Sequence, residues 1–287
     1  SKISDKIGHI MNYGDGWYGG VYIGAMYTLS FVSKDISFIV EKALEAIPRQ
    51  SDFYKCIADV IEWHKQYPDD WHQTWFNIQK KWTADIACSE GVFNAFDIDA
   101  KVNAAYVVTG LLYGVGDFGR TLEIATRTGQ DADCNPSSAG GILGAILGYH
   151  AIPDFWKKGL KEAEDIDFKY TTMSLNKVYA ISFKQALEEI SRNGGKVNDD
   201  AVTIAVQAPR AVSYEKGFPD MYPQVEKRLG LNGIKAITFD FTGTGFLLKG
   251  EARKRSKDAA DHVFEAELYI DGKRVETAKL PTSYTSR

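Results

Sequence analysis

Gly129-Gln130-Asp131-Ala132-Asp133-Cys134-Asn135-Pro136 is the stretch on which the reading of this chain turns. It joins a carboxylate pair to the start of a helix. Asp131 and Asp133 stand two residues apart, so in extended backbone both side chains point to one face. Hard divalent cations such as Mg²⁺, Mn²⁺ or Ca²⁺ take carboxylate oxygens, and the pair suits a shared cation. Asn135-Pro136 reads as a cap followed by proline in the first turn of a helix running to Tyr149. That helix carries Gly140, Gly141, Gly144 and Gly148. Each glycine costs a helix interior about 1 kcal/mol against alanine. The face formed by Gly140, Gly144 and Gly148 is therefore expected to lie close against a neighbouring helix. The free N–H groups and positive dipole end at the helix start suit a phosphate or an anionic substrate. The plainer alternative is that the two aspartates are solvated or cap locally. Because Asn135 supplies the expected cap, capping explains the pair less well.

Working outward, apolar residues recur at helical spacing from Gly20 to about Leu160, which predicts an all-α region. Helices are expected over Gly20 to Phe31 and from Asp35 to before Pro48. A third is capped by Ser51 and carries Tyr54, Ile57, Val60 and Ile61. A fourth is capped by Asp70, with Trp71, Trp75, Ile78 and Trp82 on one face, best read as core packing rather than an aromatic platform. An irregular stretch around Asn94 to Asp97 precedes a helix carrying Val102, Ala105, Tyr106, Thr109 and Leu112, and Asp117 caps the next. Past Pro153 a polar stretch leads to an amphipathic helix from about Leu175 to Ile190, ending at Gly194-Gly195. β-Type runs then occur at Val202 to Val206, Ile234 to Phe241 and Val263 to Ile270. Asp271-Gly272 signals a two-residue hairpin into a strand ending near Leu280.

The formal net charge of −4 and pI near 5.8 leave no electrostatic footprint for nucleic acid or an anionic membrane. The chain as given has no apolar run long enough to span a bilayer and no targeting segment at Ser1 to Ile10. It reads as soluble, with its compartment open. Three cysteines, Cys56, Cys88 and Cys134, are odd in number and lack C-x-x-C spacing, which argues against a disulfide framework or zinc knuckle. His9, His64, His72, His150 and His262 show no zinc-ligand spacing, and no H-E-x-x-H, G-x-S-x-G, P-loop or dinucleotide fingerprint occurs.

With these residues in view, the chain resembles the ADP-ribosylglycohydrolase family. In that family an all-α domain ends in a G-G-D-x-D-[ST] motif leading into a G-x-x-x-G-A helix. Here the corresponding residues are Gly129 to Cys134, then Gly140-Gly141-Ile142-Leu143-Gly144-Ala145. The resemblance covers roughly Gly14 to Tyr149. It implies a helical bundle over residues 1–170, with its N-terminal part missing, and the β-type runs beyond it place a linking helix and a small β-rich, sandwich-like domain, complete or truncated, over 171–287. It implies Mg²⁺ or Mn²⁺, dinuclear in the family, with Asp131 and Asp133 as ligands. The family's other acidic motif, of Thr-Asp-Asp-Thr type, is absent here, and Cys134 replaces a Thr or Ser ligand. Metal binding by this chain alone is accordingly expected to be weak or absent.

The resemblance further implies hydrolysis of a ribosyl glycosidic bond in an ADP-ribosylated protein or a small ADP-ribosyl or nucleoside-type glycoside. Tyr13-Gly14-Asp15, in the glycine-dense segment Met11 to Gly20, stands where the family has an active-site loop. Asp15 is thus the candidate catalytic residue, with Tyr13, Gly14 and Asn135 as candidate substrate contacts. The rival expectation is an inactive or weak relative that binds a nucleotide or sugar.

Overall fold

The computed structural model describes residues 2–83, 98–216, 225, 227, 236–248 and 250–283. The chain divides into two compact units, Ser1–Glu226 and Lys227–Arg287.

The first unit is helical, and its helices start where short polar side chains can satisfy free amides. After α1 (Lys2–Gly8) come α2 (Asp15–Ser30), α3 (Ile36–Leu44), α4 (Asp52–Gln66) and α5 (Trp71–Trp82). Then follow α6 (Ala100–Gly114), α7 (Phe118–Arg127) and α8 (Cys134–Leu147). Asp35, Ser51, Asp70, Asp99 and Asp117 each accept a backbone N–H as the cap of α3 to α7. The expected stretch around Asn94 to Asp97, and Cys88, lie outside the described residues.

α6 is the hub of the bundle. Every residue from Lys101 to Gly114 is buried, so a helix with no polar face is surrounded by partners, as its apolar sequence requires. Trp17, Tyr18, Tyr22, Met26, Phe53, Ile57, Ile78, Tyr106 and Leu111 share that core. The α5 aromatic stripe also faces inward, with Ile78 and Trp82 buried and Trp71 and Trp75 packed at the margin. The indole N–H groups of Trp75 and Trp82 donate to Thr128 O and Asp59 Oδ2, both at 2.9 Å.

Three local expectations are corrected. The first concerns α2, which starts at Asp15, five residues before the expected Gly20. Gly16, within the glycine-dense segment, allows close approach, since a Cβ there would stand 2.9 Å from Asn12 Oδ1. Asn135, next, is not the cap of α8. That helix begins at Cys134 with Asp133 before it, and the buried Asn135 turns its amide to other work. The last correction is to the glycine face of α8, where Gly140 lies close to a neighbour as expected but Gly144 and Gly148 do not. A Cβ on Gly140 would meet Leu122 Cδ2 at 2.7 Å, and Gly141 lies directly under the Tyr27 hydroxyl. At Gly144 the nearest atom is an ordinary 3.5 Å away, and Gly148 ends the helix at φ +79° with open space around it.

Beyond α8 come a 3₁₀ turn (Tyr149–Ala151), the short turns α9 (Asp154–Lys157) and α10 (Leu160–Ala163), and α11 (Leu175–Arg192). Ser174 caps α11, and Gly194 at φ +86° follows its end. β1 (Lys196–Val197) pairs antiparallel with β2 (Val202–Thr203). In the second unit β3 (Ala252–Arg253), β4 (Val263–Ile270) and β5 (Lys273–Ser283) form one sheet of order β3-β5-β4. Asp271 and Gly272 at φ 48° and 77° make the β4–β5 hairpin turn. Of the expected Ile234 to Phe241 strand, residues 236–241 are described and are not paired with any strand among the described residues. No helix among the described residues is long and apolar enough to cross a membrane.

Candidate active site

The connection from α7 to α8 is a tight reversal in which Gly129 and Gln130 both take positive φ, 94° and 51°. A non-glycine residue in that region needs compensation. Gln130 has it in its side chain, whose Oε1 accepts from Asn103 Nδ2 at 3.1 Å. Asn103, on the second turn of α6, ties the loop down. Its Oδ1 accepts the Asp131 N–H at 3.1 Å and Asn135 Nδ2 at 2.8 Å, while its Nδ2 also donates to Asp99 O at 2.9 Å. A single buried amide therefore fixes the approach to the carboxylate pair.

Held this way, Asp131, Asp133 and Cys134 converge, with ligand atoms all within 4.8 Å of one another. They are the one such group of three or more acidic, thiol or imidazole side chains among the described residues. Asp133 and Cys134 are exposed and Asp131 is partly so. A hydrogen bond with the Asp131 side chain, then the N–H groups of Asp133 and Cys134, hold the Asp133 carboxyl below its ordinary range. The same Asp131 carboxylate bonds Cys134 and pushes its thiol up. A protonated thiol is a poor ligand for hard cations. The donor set thus fits one hard cation on two carboxylates. It supplies too few oxygens for two, since six-coordinate ions take about six each.

A second cluster forms where the first turns of α2, α4 and α6 meet. Asp15 opens α2 after Gly14, whose φ of 60° and ψ of −134° make the sharp entry. Burial pushes the Asp15 carboxyl up to about 6, against the Lys101 ammonium and the Phe53 backbone N–H, which lower it. Asp99 and Asp52 add negative field that raises it further. Lys101 is wholly buried and its Nζ pairs with Asp99 Oδ2 at 3.1 Å. A buried lysine needs such a partner, because an uncompensated charge there costs several kcal/mol, roughly 3 to 5 when one member of the pair is removed. Cys56, next to the Lys101 carbonyl, has its thiol pushed well up by burial and is inert.

The N-terminal end of α6 thus serves both clusters, Asp99 and Lys101 toward Asp15 and Asn103 toward Asp131. Of the residues expected from sequence, Asp131 and Asp133 come together and Asp15 sits among charged neighbours. Tyr13 is half exposed, Gly14 is buried with its N–H donated to Glu215, and Asn135 lies beneath the loop as a support. Asn103, Asp99, Lys101 and Glu215 were not expected. Asn103, a polar residue inside the apolar run Val102 to Leu112, and Lys101, immediately before that run, had a visible signal, whereas Glu215 had none.

One family model, described as ADP-ribosylglycohydrolase, matches residues 2–189. No curated protein and no solved structure matches the chain.

Proposed function

Because the chain belongs to the ADP-ribosylglycohydrolase family, we propose that it is a metal-dependent hydrolase of a ribosyl glycosidic bond. The observation that carries this is the convergence of Asp131 and Asp133 at the start of α8, within the family-matched residues. Asp131 and Asp133 would hold Mg²⁺ or Mn²⁺, and the bound cation would supply positive charge that orients ribose hydroxyls and water. Asp15, with a carboxyl near 6, is matched to proton transfer at neutral pH, where both its forms are available. It serves as the acid–base group at the leaving atom of the anomeric carbon. Asp99 and Lys101 keep it in place. Tyr13 and Gly14 border the ribosyl group, and Asn135 acts from below through Asn103. The substrate class is an ADP-ribosylated protein or a small ADP-ribosyl or nucleoside-type glycoside.

The second reading, a weak or inactive relative that binds a nucleotide or sugar, is favoured by Cys134, a protonated thiol beside the carboxylates. Calorimetric Mn²⁺ titration with release of ADP-ribose from a modified peptide separates them. With two carboxylates as the charged oxygen donors, Mn²⁺ affinity is expected at about millimolar, as for sites of low ligand charge. It should vanish in Asp131→Ala and Asp133→Ala. Binding that survives both substitutions refutes the assignment of these ligands. ADP-ribose binding without release favours the binder.

A further inference from the structure

The chain beyond the family match returns to the helical unit and closes over the glycine-dense loop. Val212 N–H donates to Ala46 O at 3.0 Å, and the Val212 side chain packs on the core. The Tyr18 hydroxyl, on the first turn of α2, donates to Ser213 O at 3.2 Å and Glu215 O at 3.1 Å. Glu215 N–H in turn donates to that hydroxyl at 2.5 Å. Main-chain bonds therefore anchor the segment before its side chains are considered.

Glu215 then reaches the entry of α2. Its Oε2 accepts the Gly14 N–H at 3.1 Å, and its Oε1 meets His9 Nε2 at 3.0 Å. The other His9 nitrogen lies 3.1 Å from Asp5, and the ring packs at a tilt against Trp17, 3.9 Å between centroids. Gly14 precedes the helix, so α2 itself offers its N–H no acceptor. A carboxylate there makes a charge-assisted bond, stronger than a neutral one. The residue held next is Asp15.

We propose that Glu215 is a positioning residue for Asp15, supplied from outside the family-matched part of the chain. It clamps the Gly14 turn so that the Asp15 carboxyl enters the cluster of Asp99 and Lys101 in one orientation. This rests on the reading of Asp15 as the proton-transfer group. Glu215→Ala removes the acceptor, while Glu215→Gln removes the charge and keeps an acceptor for Gly14.

The test uses the full chain and three readouts: hydrogen exchange of the Gly14 amide, carboxyl-carbon titration of Asp15 by NMR, and ADP-ribose affinity by calorimetry. In Glu215→Ala, Gly14 exchange should quicken at least about tenfold, in line with losing a charge-assisted hydrogen bond. The Asp15 midpoint should move, and ADP-ribose should bind about tenfold more weakly. Glu215→Gln should restore all three toward the parent. An Asp15 midpoint that stays fixed in Glu215→Ala overturns the proposal, whether or not Gly14 exchange changes, since the contact is then structural only. A midpoint that moves equally in both variants also overturns it, because charge rather than clamping is responsible. A midpoint that moves in Ala alone, in a protein that binds no ADP-ribose, upholds the clamp and refutes the functional reading.

Discussion

Asp15→Asn should make the protein more stable at alkaline pH while removing the proposed proton-transfer group. The carboxyl is pushed from 3.8 up to about 6, chiefly by burial. Between those values the folded chain keeps a proton that the unfolded chain has lost. Stability therefore falls as pH rises through that window and levels off above it. A shift of about two units corresponds to about 3 kcal/mol at the limit, and partial exposure reduces this to about 2 kcal/mol. Asparagine keeps the shape and an oxygen for the Phe53 N–H but carries no charge. Urea melts at pH 8 should show the variant about 2 kcal/mol more stable, or roughly 4 to 8 °C higher in Tm for a domain of this size. At pH 4, where the parent carboxyl is also neutral, the difference should close. ADP-ribose release should drop about 10²- to 10⁴-fold, the range for a lost general acid or base. A variant no more stable than the parent at pH 8, or equally stabilised at both pH values, would refute the claim that burial disfavours this charge.

Lys101→Met removes the cation that faces Asp99 and lowers the Asp15 carboxyl, so a loss of about 3 kcal/mol or more is expected in chemical denaturation, with the Asp15 titration moving further up. Asn103→Ala cuts the amide that holds Gln130, Asp131 and Asn135. It should cost about 2 to 4 kcal/mol by leaving buried groups unpaired, and fast amide exchange at 129–133 would reveal the loosened loop. Gly141→Ala drives a Cβ into Tyr27, whereas at Gly144 the nearest atom, Ile152 Cδ1, is 3.5 Å away. Thermal melts should show the first destabilised and the second up to about 1 kcal/mol more stable through helix propensity. Equal melting of the pair would contradict the packing described for α8.

The elements whose start is set by a local side chain were legible. Asp35, Ser51, Asp70 and Asp117 were read as starts or caps from one or two neighbouring positions, and the structure uses them so. The Asp271-Gly272 turn is of the same kind. What sequence misplaced depends on what lies across the helix. Gly16 looks like a helix breaker until Asn12 is placed opposite it. Asn135 looks like a cap until Asn103, thirty-two positions earlier, is found waiting for its amide.

The site divides along the same line. The convergence of Asp131 and Asp133 is readable because their spacing is local and needs only the loop. Asp15 gains its chemistry from three helix ends that meet in space: its own, that of Phe53, and that of Asp99 and Lys101. A lysine in an apolar helix is a local conflict, and such conflicts concentrate where function outweighs stability. Lys101 is wholly buried, and its charge can be held there only if carboxylates surround it. Those carboxylates include the one whose proton is then near neutrality. The polar interruption at Lys101 and Asn103 is thus where the chain gives up core continuity so that one helix end can support both the carboxyl proposed for proton transfer and the pair proposed for cation binding.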